Sequence, residues 1–380
     1  MKKILHLQLL PLLTGVQNFS LHLLSGLPPD EYEIWVASKP GGEFVDAVLA
    51  RGFHYLPVAS LRREISLWDF VALVKLILLM RRHRFDIVHT NTSKAGILGR
   101  LAARLCGVPL IIHTAHGVSF QEGQSRLTQK LFQAAEKFGN QLCDWVVFVN
   151  NSDRERCLAL GLVSPEKAVS VYNAIPVDYA DRLSGIAAAR HYNPHKPDFV
   201  IGSTLRFSEQ KNVVDLVSSA CRACCRNPRL RFILLGEGEL LGLCRRIVAS
   251  HRLNGQVLLP GWDLGVDKWL PKFDAFILYS RWEAQPFSII EAMYSGLAVV
   301  GSDIPSIREL VDQDSGWLFP LDDLPPLIDF LAGLPDRAKD VFAAGQQAAA
   351  RIRRLCDYRQ MMDGYLRLYE RQSASSEERL

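Results

Sequence analysis

No stretch of this 380-residue chain reaches the roughly twenty consecutive apolar residues a helix needs to cross a bilayer. The nearest candidate, Leu67 to Met80, is fourteen residues long and contains Asp69 and Lys75. No small-residue cleavage site follows the charged, apolar start Met1-Lys-Lys-Ile-Leu5, and a glycine turn and amphipathic segment come next, so a first strand is expected and not a secretory leader. Cys221-Arg-Ala-Cys224-Cys225 has no second Cys-x-x-Cys and no histidine pair beside it, so no zinc site is expected. The eight cysteines lie scattered in apolar or helical contexts, which suits reduced cytosolic thiols and not a disulfide framework. Internal repeats and low-complexity tracts are missing. So is any basic strip interleaved with aromatics, which argues against nucleic acid as a partner.

What is present suits two ordinary globular cores: 48% of residues are hydrophobic and 22% charged. The net charge is only +4 but unevenly placed, with 19 Lys+Arg against 15 Asp+Glu in residues 1–178 and 25 against 25 in the remainder. Arg62-Arg63 and Arg81-Arg82-His83-Arg84 flank the Leu67 to Met80 stretch. A core helix with basic ends is expected there, and its arginines can at the same time meet an anionic membrane surface.

Short apolar runs at Ile4 to Leu10, Tyr32 to Ala37, Phe53 to Val58, Asp86 to Thr90, Leu110 to Thr114 and Trp145 to Val149 alternate with helical stretches such as Phe44 to Ala50 and Gly96 to Leu105. A polar segment, Asn193-Pro-His-Lys-Pro197, reads as a linker. A second series then follows at Phe199 to Thr204, Leu230 to Leu235, Val257 to Leu259, Ala275 to Leu278 and Ala298 to Val300. Alternation of this kind predicts an α/β chain of two doubly wound, Rossmann-like domains, with ligands at the carboxyl ends of the strands in a central cleft.

The second half contains Ser280-Arg-Trp-Glu283-Ala-Gln-Pro286-Phe287-Ser288-Ile-Ile-Glu291-Ala, which puts Glu283 in a strand-to-helix loop and Glu291 about one turn inside the helix. Pro286 suits a helix start, and the amides of Phe287, Ser288 and Ile289 are expected to be open donors there, a ready anion site. Glu291 can accept hydrogen bonds from a pair of sugar hydroxyls. Upstream, the first strand of this half ends in Arg206-Phe-Ser-Glu-Gln-Lys211, two cations able to hold a diphosphate. Gly236 and Gly238 in Leu235-Gly-Glu-Gly-Glu239 allow backbone to approach a ligand.

Together with Gly296-Leu-Ala-Val-Val-Gly-Ser-Asp303 and Glu309, these residues resemble the donor-site signature of the retaining family 4 glycosyltransferases, which have the GT-B fold. The resemblance covers nearly the whole chain and is densest from Phe199 to Phe319. It implies an acceptor domain at residues 1–176 with a closing helix near 357–372 packed back on it, a donor domain at 177–356, and a frayed tail at 373–380. It also implies transfer with retention from a nucleotide-diphosphate donor, a UDP-sugar in the first instance. No metal and no cofactor are expected, since in this family the departing phosphate serves as base.

By resemblance Glu283 orients the transferred sugar and steadies positive charge, Glu291 holds the ribose, Arg206 and Lys211 hold the diphosphate, and Gly261 lies where the nucleobase sits. Gly15, beside Thr14 where the family has a second glycine, is the phosphate-approach position of the first domain. His116, after a strand and before Gly117, is the active-site histidine, and Asn173, followed by Ala174 instead of glycine, marks the hinge. Asp312-Gln-Asp314 is a decoy for the metal-binding Asp-x-Asp of another glycosyltransferase fold. The family's frequent role suggests a lipid-linked (polyprenyl-diphosphate) glycan acceptor in lipopolysaccharide or exopolysaccharide assembly, with the protein cytoplasmic and peripheral at the inner face of the membrane. Three alternatives remain: a sugar-nucleotide epimerase of the same fold, which would need further acid-base carboxylates; a phosphorylase-like enzyme, which would need a pyridoxal lysine; and a catalytically silent partner subunit.

Overall fold

The computed structural model describes residues 1–62, 66–121, 123–263 and 265–370. Arg63 of the first basic cluster and the tail expected at 373–380 lie outside the described residues. Two compact units divide the chain, one formed by Met1–Asn173 with the stretch from Tyr358, the other by Ala174–Asp357.

In the first unit the order is β1 (Lys2–Leu7), α1 (Gly15–Ser25), β2 (Tyr32–Ser38), α2 (Glu43–Ala50), β3 (His54–Pro57), α3 (Trp68–His83), β4 (Ile87–Thr90), α4 (Ser93–Leu105), β5 (Leu110–Ala115), α5 (Arg126–Gln141), β6 (Trp145–Phe148), α6 (Asn151–Ala159) and β7 (Ala168–Ser170). The seven strands pair in parallel as β3-β2-β1-β4-β5-β6-β7. Central strands such as β4 are buried at every residue, because helices cover both faces of a parallel sheet. The apolar start forms β1, whose Ile4, Leu5 and Leu7 are buried.

The second unit runs α7 (Val177–Ala189), β8 (Phe199–Thr204), α8 (Val213–Arg226), β9 (Leu230–Leu235), α9 (Leu241–Ser250), β10 (Val257–Gly261), β11 (Ala275–Leu278), α10 (Phe287–Tyr294), β12 (Ala298–Ser302), α11 (Pro305–Leu310), β13 (Gly316–Phe319), α12 (Leu324–Gly333) and α13 (Ala338–Leu355). Its six parallel strands lie in the order β10-β9-β8-β11-β12-β13. The last helix, α14 (Tyr358–Glu370), belongs to the first unit: Tyr358 donates to the His22 carbonyl at 2.7 Å, and Lys2 Nζ donates to the Tyr369 carbonyl at 3.0 Å.

Two expectations are corrected. The polar segment 193–197 is not an interdomain linker. It joins α7 to β8 inside the second unit, where Lys196 pairs with Asp274 at 2.6 Å and Arg190 donates to the Ser295 and Phe273 carbonyls at 2.7 and 2.8 Å. The Leu67 to Met80 helix is only partly core, since Ala72, Leu76 and Met80 are its buried residues while Leu67, Phe70 and Leu78 stand in water.

Candidate active site

In a doubly wound sheet the crevice for ligands opens where strand order reverses. In the second unit that point lies between β8 and β11, which pair at Ile201–Ala275. The loops leaving both strands meet there. Arg281 N donates to the Gln210 carbonyl at 2.8 Å, and Gln210 Nε2 donates to the Trp282 carbonyl at 3.1 Å. This lacing brings Lys211 Nζ into an ion pair with Glu283, with side chains 16% and 7% exposed. Arg206 differs from the expectation of a second fixed cation: it lies in water, 63% exposed, paired at 3.1 Å with Glu239. Such an exposed pair holds its partners weakly.

The loop after β9 packs on the loop after β8. Phe207 N donates to the Glu237 carbonyl and Leu240 N to the Phe207 carbonyl, both at 2.9 Å. Gly236 has φ +139°, and a β-carbon there would come within 1.8 Å of the Leu205 carbonyl oxygen. The glycine is thus required by close approach of the chain's own backbone, a tighter constraint than ligand access. Gly261 ends β10 at φ +100° with Glu237 Oε1 at 3.1 Å from where a β-carbon would be.

Pro286 caps α10 from outside and is not in its first turn, and Phe287 and Ser288 are the first helical residues. The amide of Ile289, expected to be open, instead donates to the Pro286 carbonyl at 3.1 Å, because the turn closes early. Glu291 sits inside α10 and accepts from the Tyr179 hydroxyl at 3.3 Å. Burial pushes its carboxyl up to about 7, against the pull of the Tyr179 bond and with a small push from Asp267. Tyr179 of α7 was not singled out by sequence, because it reaches Glu291 from a helix 112 positions away; Gln210 and Glu239 lie within the quoted motifs but were given no role. Asp312 accepts from Arg351 at 2.7 Å and from the Ser315 amide at 3.0 Å. A cavity of about 490 Å³ lined by Arg190, Lys196, Arg229 and Phe342 opens at the start of β8, away from these loops. Its cations are engaged by Asp274, Asp336 and backbone carbonyls.

The first unit reverses strand order between β1 and β4. His6 and His89 stand opposite each other in that pair, ring centres 4.7 Å apart. His89 Nδ1 meets the Tyr369 hydroxyl at 2.6 Å and Nε2 meets Thr114 Oγ1 at 2.8 Å, while Tyr365 reaches Thr114 at 3.1 Å. His6 Nε2 meets Ser20 Oγ at 3.0 Å and also Asn91. The half-buried His116 follows β5, with Nε2 3.4 Å from Asn91 Oδ1 and its ring edge-on to Phe19. Burial pulls all of His6, His89, His113 and His116 below the ordinary imidazole value, so they are neutral at pH 7. Sequence reasoning named only His116; His6, His89 and His113 fall within the strands it marked and carried a signal in that shared placement. Gly15 opens α1 in an exposed position, and the Thr14 hydroxyl turns to Gln17 without capping a backbone amide. Asn173 is the buried last residue of the first unit's main segment, next to Ala174 of the second.

Comparison with known proteins agrees with this architecture. The model of Glycosyltransferase Family 4 matches residues 13–179, and that of Glycosyl transferases group 1 matches residues 198–334. The UDP-Gal:alpha-D-GlcNAc-diphosphoundecaprenol alpha-1,3-galactosyltransferase of Escherichia coli is 32% identical over 343 residues, 88% of each chain. The chain belongs to glycosyltransferase family 4. Putative glycosyltransferase EpsF of Bacillus subtilis is 30% identical to this glycosyltransferase over 250 residues, covering 61% of the chain and 60% of the relative. The fold is GT-B: HepE of Anabaena, solved with UDP and glucose, superposes with a TM-score of 0.80 at 18% identity, covering 97% of this glycosyltransferase and 99% of HepE. The apo lipopolysaccharide outer core galactosyltransferase WaaB superposes at 0.71 and 16% identity, covering 97% and 99%.

Proposed function

We propose that this glycosyltransferase moves the sugar of a UDP-sugar onto a prenyl-diphosphate-linked glycan, with retention of anomeric configuration and without a metal ion, in assembly of a bacterial surface polysaccharide. The observation that carries the reading is the meeting of Lys211 and Glu283 at the β8–β11 reversal, beside the start of α10 and Glu291. The E. coli relative, named for a UDP-galactose donor and a diphosphoundecaprenol acceptor, supports the substrate class.

In this reading Glu291 accepts hydrogen bonds from the ribose hydroxyls, and the Phe287–Ser288 end of α10 faces the diphosphate with its positive dipole end. The incoming diphosphate draws Lys211 away from Glu283, and Arg206 leaves the weak pair with Glu239 to join it. Glu283, released, faces the positive charge that develops at the anomeric carbon as the sugar–phosphate bond stretches. The acceptor hydroxyl attacks on the face the diphosphate leaves and passes its proton to the departing phosphate oxygen, which gives retention. With Lys211, Arg206 and a helix terminus supplying positive charge, the leaving group can be stabilised by the chain itself. His116, neutral, offers a hydrogen bond to the sugar or acceptor.

The protein works at the cytoplasmic face of the membrane, drawn to anionic lipid by the cationic excess of its first half. The test is a mass-spectrometric screen of nucleotide sugars against prenyl-diphosphate acceptors, with the anomeric configuration of the product read by NMR and the rate compared with and without chelator. Transfer from a UDP-sugar with retention, unaffected by chelator, is expected. Absence of transfer from every donor overturns the reading; inversion or chelator sensitivity overturns the corresponding part of the mechanism.

A further inference from the structure

Two helices of the first unit hold large apolar side chains in water. The inward stripe of α3 is Ala72, Leu76 and Met80, one residue per turn. On its outer side Phe70 is 71% exposed and Leu78 61%, with Val71 and Val74 between them. In α5, Leu127, Leu131 and Phe138, 81%, 62% and 48% exposed, follow one another at helical spacing along a single outer line.

Among the described residues of the two helices, the exposed charges have one sign. The acid of α5, Glu136, is buried, while Arg126, Lys130 and Lys137 are exposed. The acid of α3, Asp69, is held by Lys94 at 2.6 Å, and the helix ends in exposed Arg81 and Arg82. The two helices belong to one side of the sheet, since α3, α4 and α5 are successive crossovers β3 to β4, β4 to β5 and β5 to β6, all advancing in the same direction with α4 packed between its neighbours.

Lines of exposed large apolar side chains on two helices of one side of a sheet mark a docking site. A second copy of the chain joined through the same face about a two-fold axis would set cations against cations. An anionic bilayer surface satisfies both features, with apolar side chains entering the boundary of headgroup and acyl chain and Lys and Arg meeting lipid phosphates. Neither helix qualifies as a membrane span, so the contact is interfacial. We propose that the outer faces of α3 and α5 together form the seat by which the first unit docks on an anionic lipid bilayer. The proposal rests on the membrane reading above and adds that apolar insertion by two helices, and not charge alone, holds the protein there.

The experiment is co-sedimentation of the full chain with phosphatidylglycerol-containing vesicles and with phosphatidylcholine vesicles across salt concentrations. Phe70→Ser with Leu78→Ser, and Leu131→Ser with Phe138→Ser, are each expected to lower partitioning into the anionic vesicles by about tenfold or more at every salt concentration. Lys130→Gln with Lys137→Gln is expected to lower it several-fold at low salt and little at high salt. Transfer to a water-soluble short-prenyl acceptor is expected to be unchanged in all three variants, while transfer to a long-prenyl acceptor in vesicles falls with partitioning. Unchanged partitioning when the four serines are combined overturns the proposal. So does a wild-type dimer in sedimentation velocity that the serines dissolve, which would assign the face to a second copy. Docking that depends on these side chains, in a protein that transfers to no acceptor, would overturn the functional reading and leave the seat standing. Transfer to the short acceptor with serine-insensitive docking would do the reverse.

Discussion

The two units solve the same topological problem with opposite chemistry. Each has a parallel sheet whose strand order reverses once, and each gathers polar groups where it does. In the first, the reversal is lined by His6 and His89 and backed by His113, all buried and held neutral. In the second it is lined by a Lys211–Glu283 ion pair with a carboxyl, Glu291, pushed up by burial. A neutral, hydrogen-bonding wall suits a sugar or an acceptor hydroxyl, whereas a charged pair suits a diphosphate that departs with negative charge. The difference also gives the units opposite responses to acid.

The largest effect expected is on stability. A histidine whose folded pKa is depressed is neutral when folded, so the unfolded chain binds the extra proton once pH falls below about 6.5. Stability is complete above that value and falls as pH drops toward the lowered folded pKa, about 3 for His6. Each such histidine contributes a loss of up to about 1.4 kcal/mol per pH unit across that window, and His89, His113 and His116 act in the same direction as His6. Glu291 works the other way, since the folded form holds its proton up to about 7 and the unfolded form only to about 4.5. The second unit therefore gains stability, on the order of 2 kcal/mol, as pH falls from 7 to 4.5. Acid titration followed by brief pepsin digestion, with the cuts mapped, is expected to show the first unit opening before the second. Simultaneous opening would contradict the contrast, and His89→Gln should blunt the acid sensitivity of the first unit.

Next in size is catalysis. Lys211→Ala removes the cation proposed to hold the diphosphate and leaves Glu283 without its ion-pair partner. The expected loss is about a hundredfold to a thousandfold in kcat/KM, together with weaker UDP binding by calorimetry. Arg206→Ala, which removes an exposed cation from a weak pair, is expected to cost about tenfold. Equal losses would mean that the fixed and mobile cations are equivalent. Gly236→Ala tests the scaffold beneath them: a methyl 1.8 Å from the Leu205 carbonyl cannot fit without moving the loop, so about 3 kcal/mol of stability is expected to go, read by chemical denaturation.

How much of this was legible beforehand follows from how local each signal is. The runs at Phe199 to Thr204, Leu230 to Leu235 and Ala275 to Leu278 match β8, β9 and β11 residue for residue, because a strand covered on both faces is predominantly apolar along its length. Strands β7 and β13 were missed: they are edge strands buried at only one residue each, so burial imposes little pattern on them. The spacing of Glu283 and Glu291 around Pro286 correctly put one in the loop and one in the helix. The pairing of Lys211 with Glu283 spans 72 positions and depends on the lacing by Gln210, which no local pattern carries. The outer apolar line of α3 was read as core because hydrophobicity by itself does not say which face the sheet will cover.

The smallest effect expected is also the most discriminating. Tyr179 donates to Glu291 from α7, and that bond favours the ionised carboxylate against burial. If Glu291 takes the ribose as a carboxylate acceptor, UDP affinity must rise as pH passes upward through about 7, by up to about tenfold where binding requires the ionised form. Glu291→Gln should remove that pH dependence while leaving a weaker, flat affinity. Tyr179→Phe removes the donor that favours ionisation, so the rise should move to higher pH, with affinity at pH 7 lower by only a fewfold, about 1 kcal/mol. Calorimetric titration of UDP at several pH values reads all three variants. A rise that persists in Glu291→Gln would assign the proton to the diphosphate itself, whose last ionisation lies in the same range, and would leave Glu291 a neutral partner of the ribose. The contrast between the units would then narrow to the Lys211–Glu283 ion pair of the second set against the neutral imidazoles of the first.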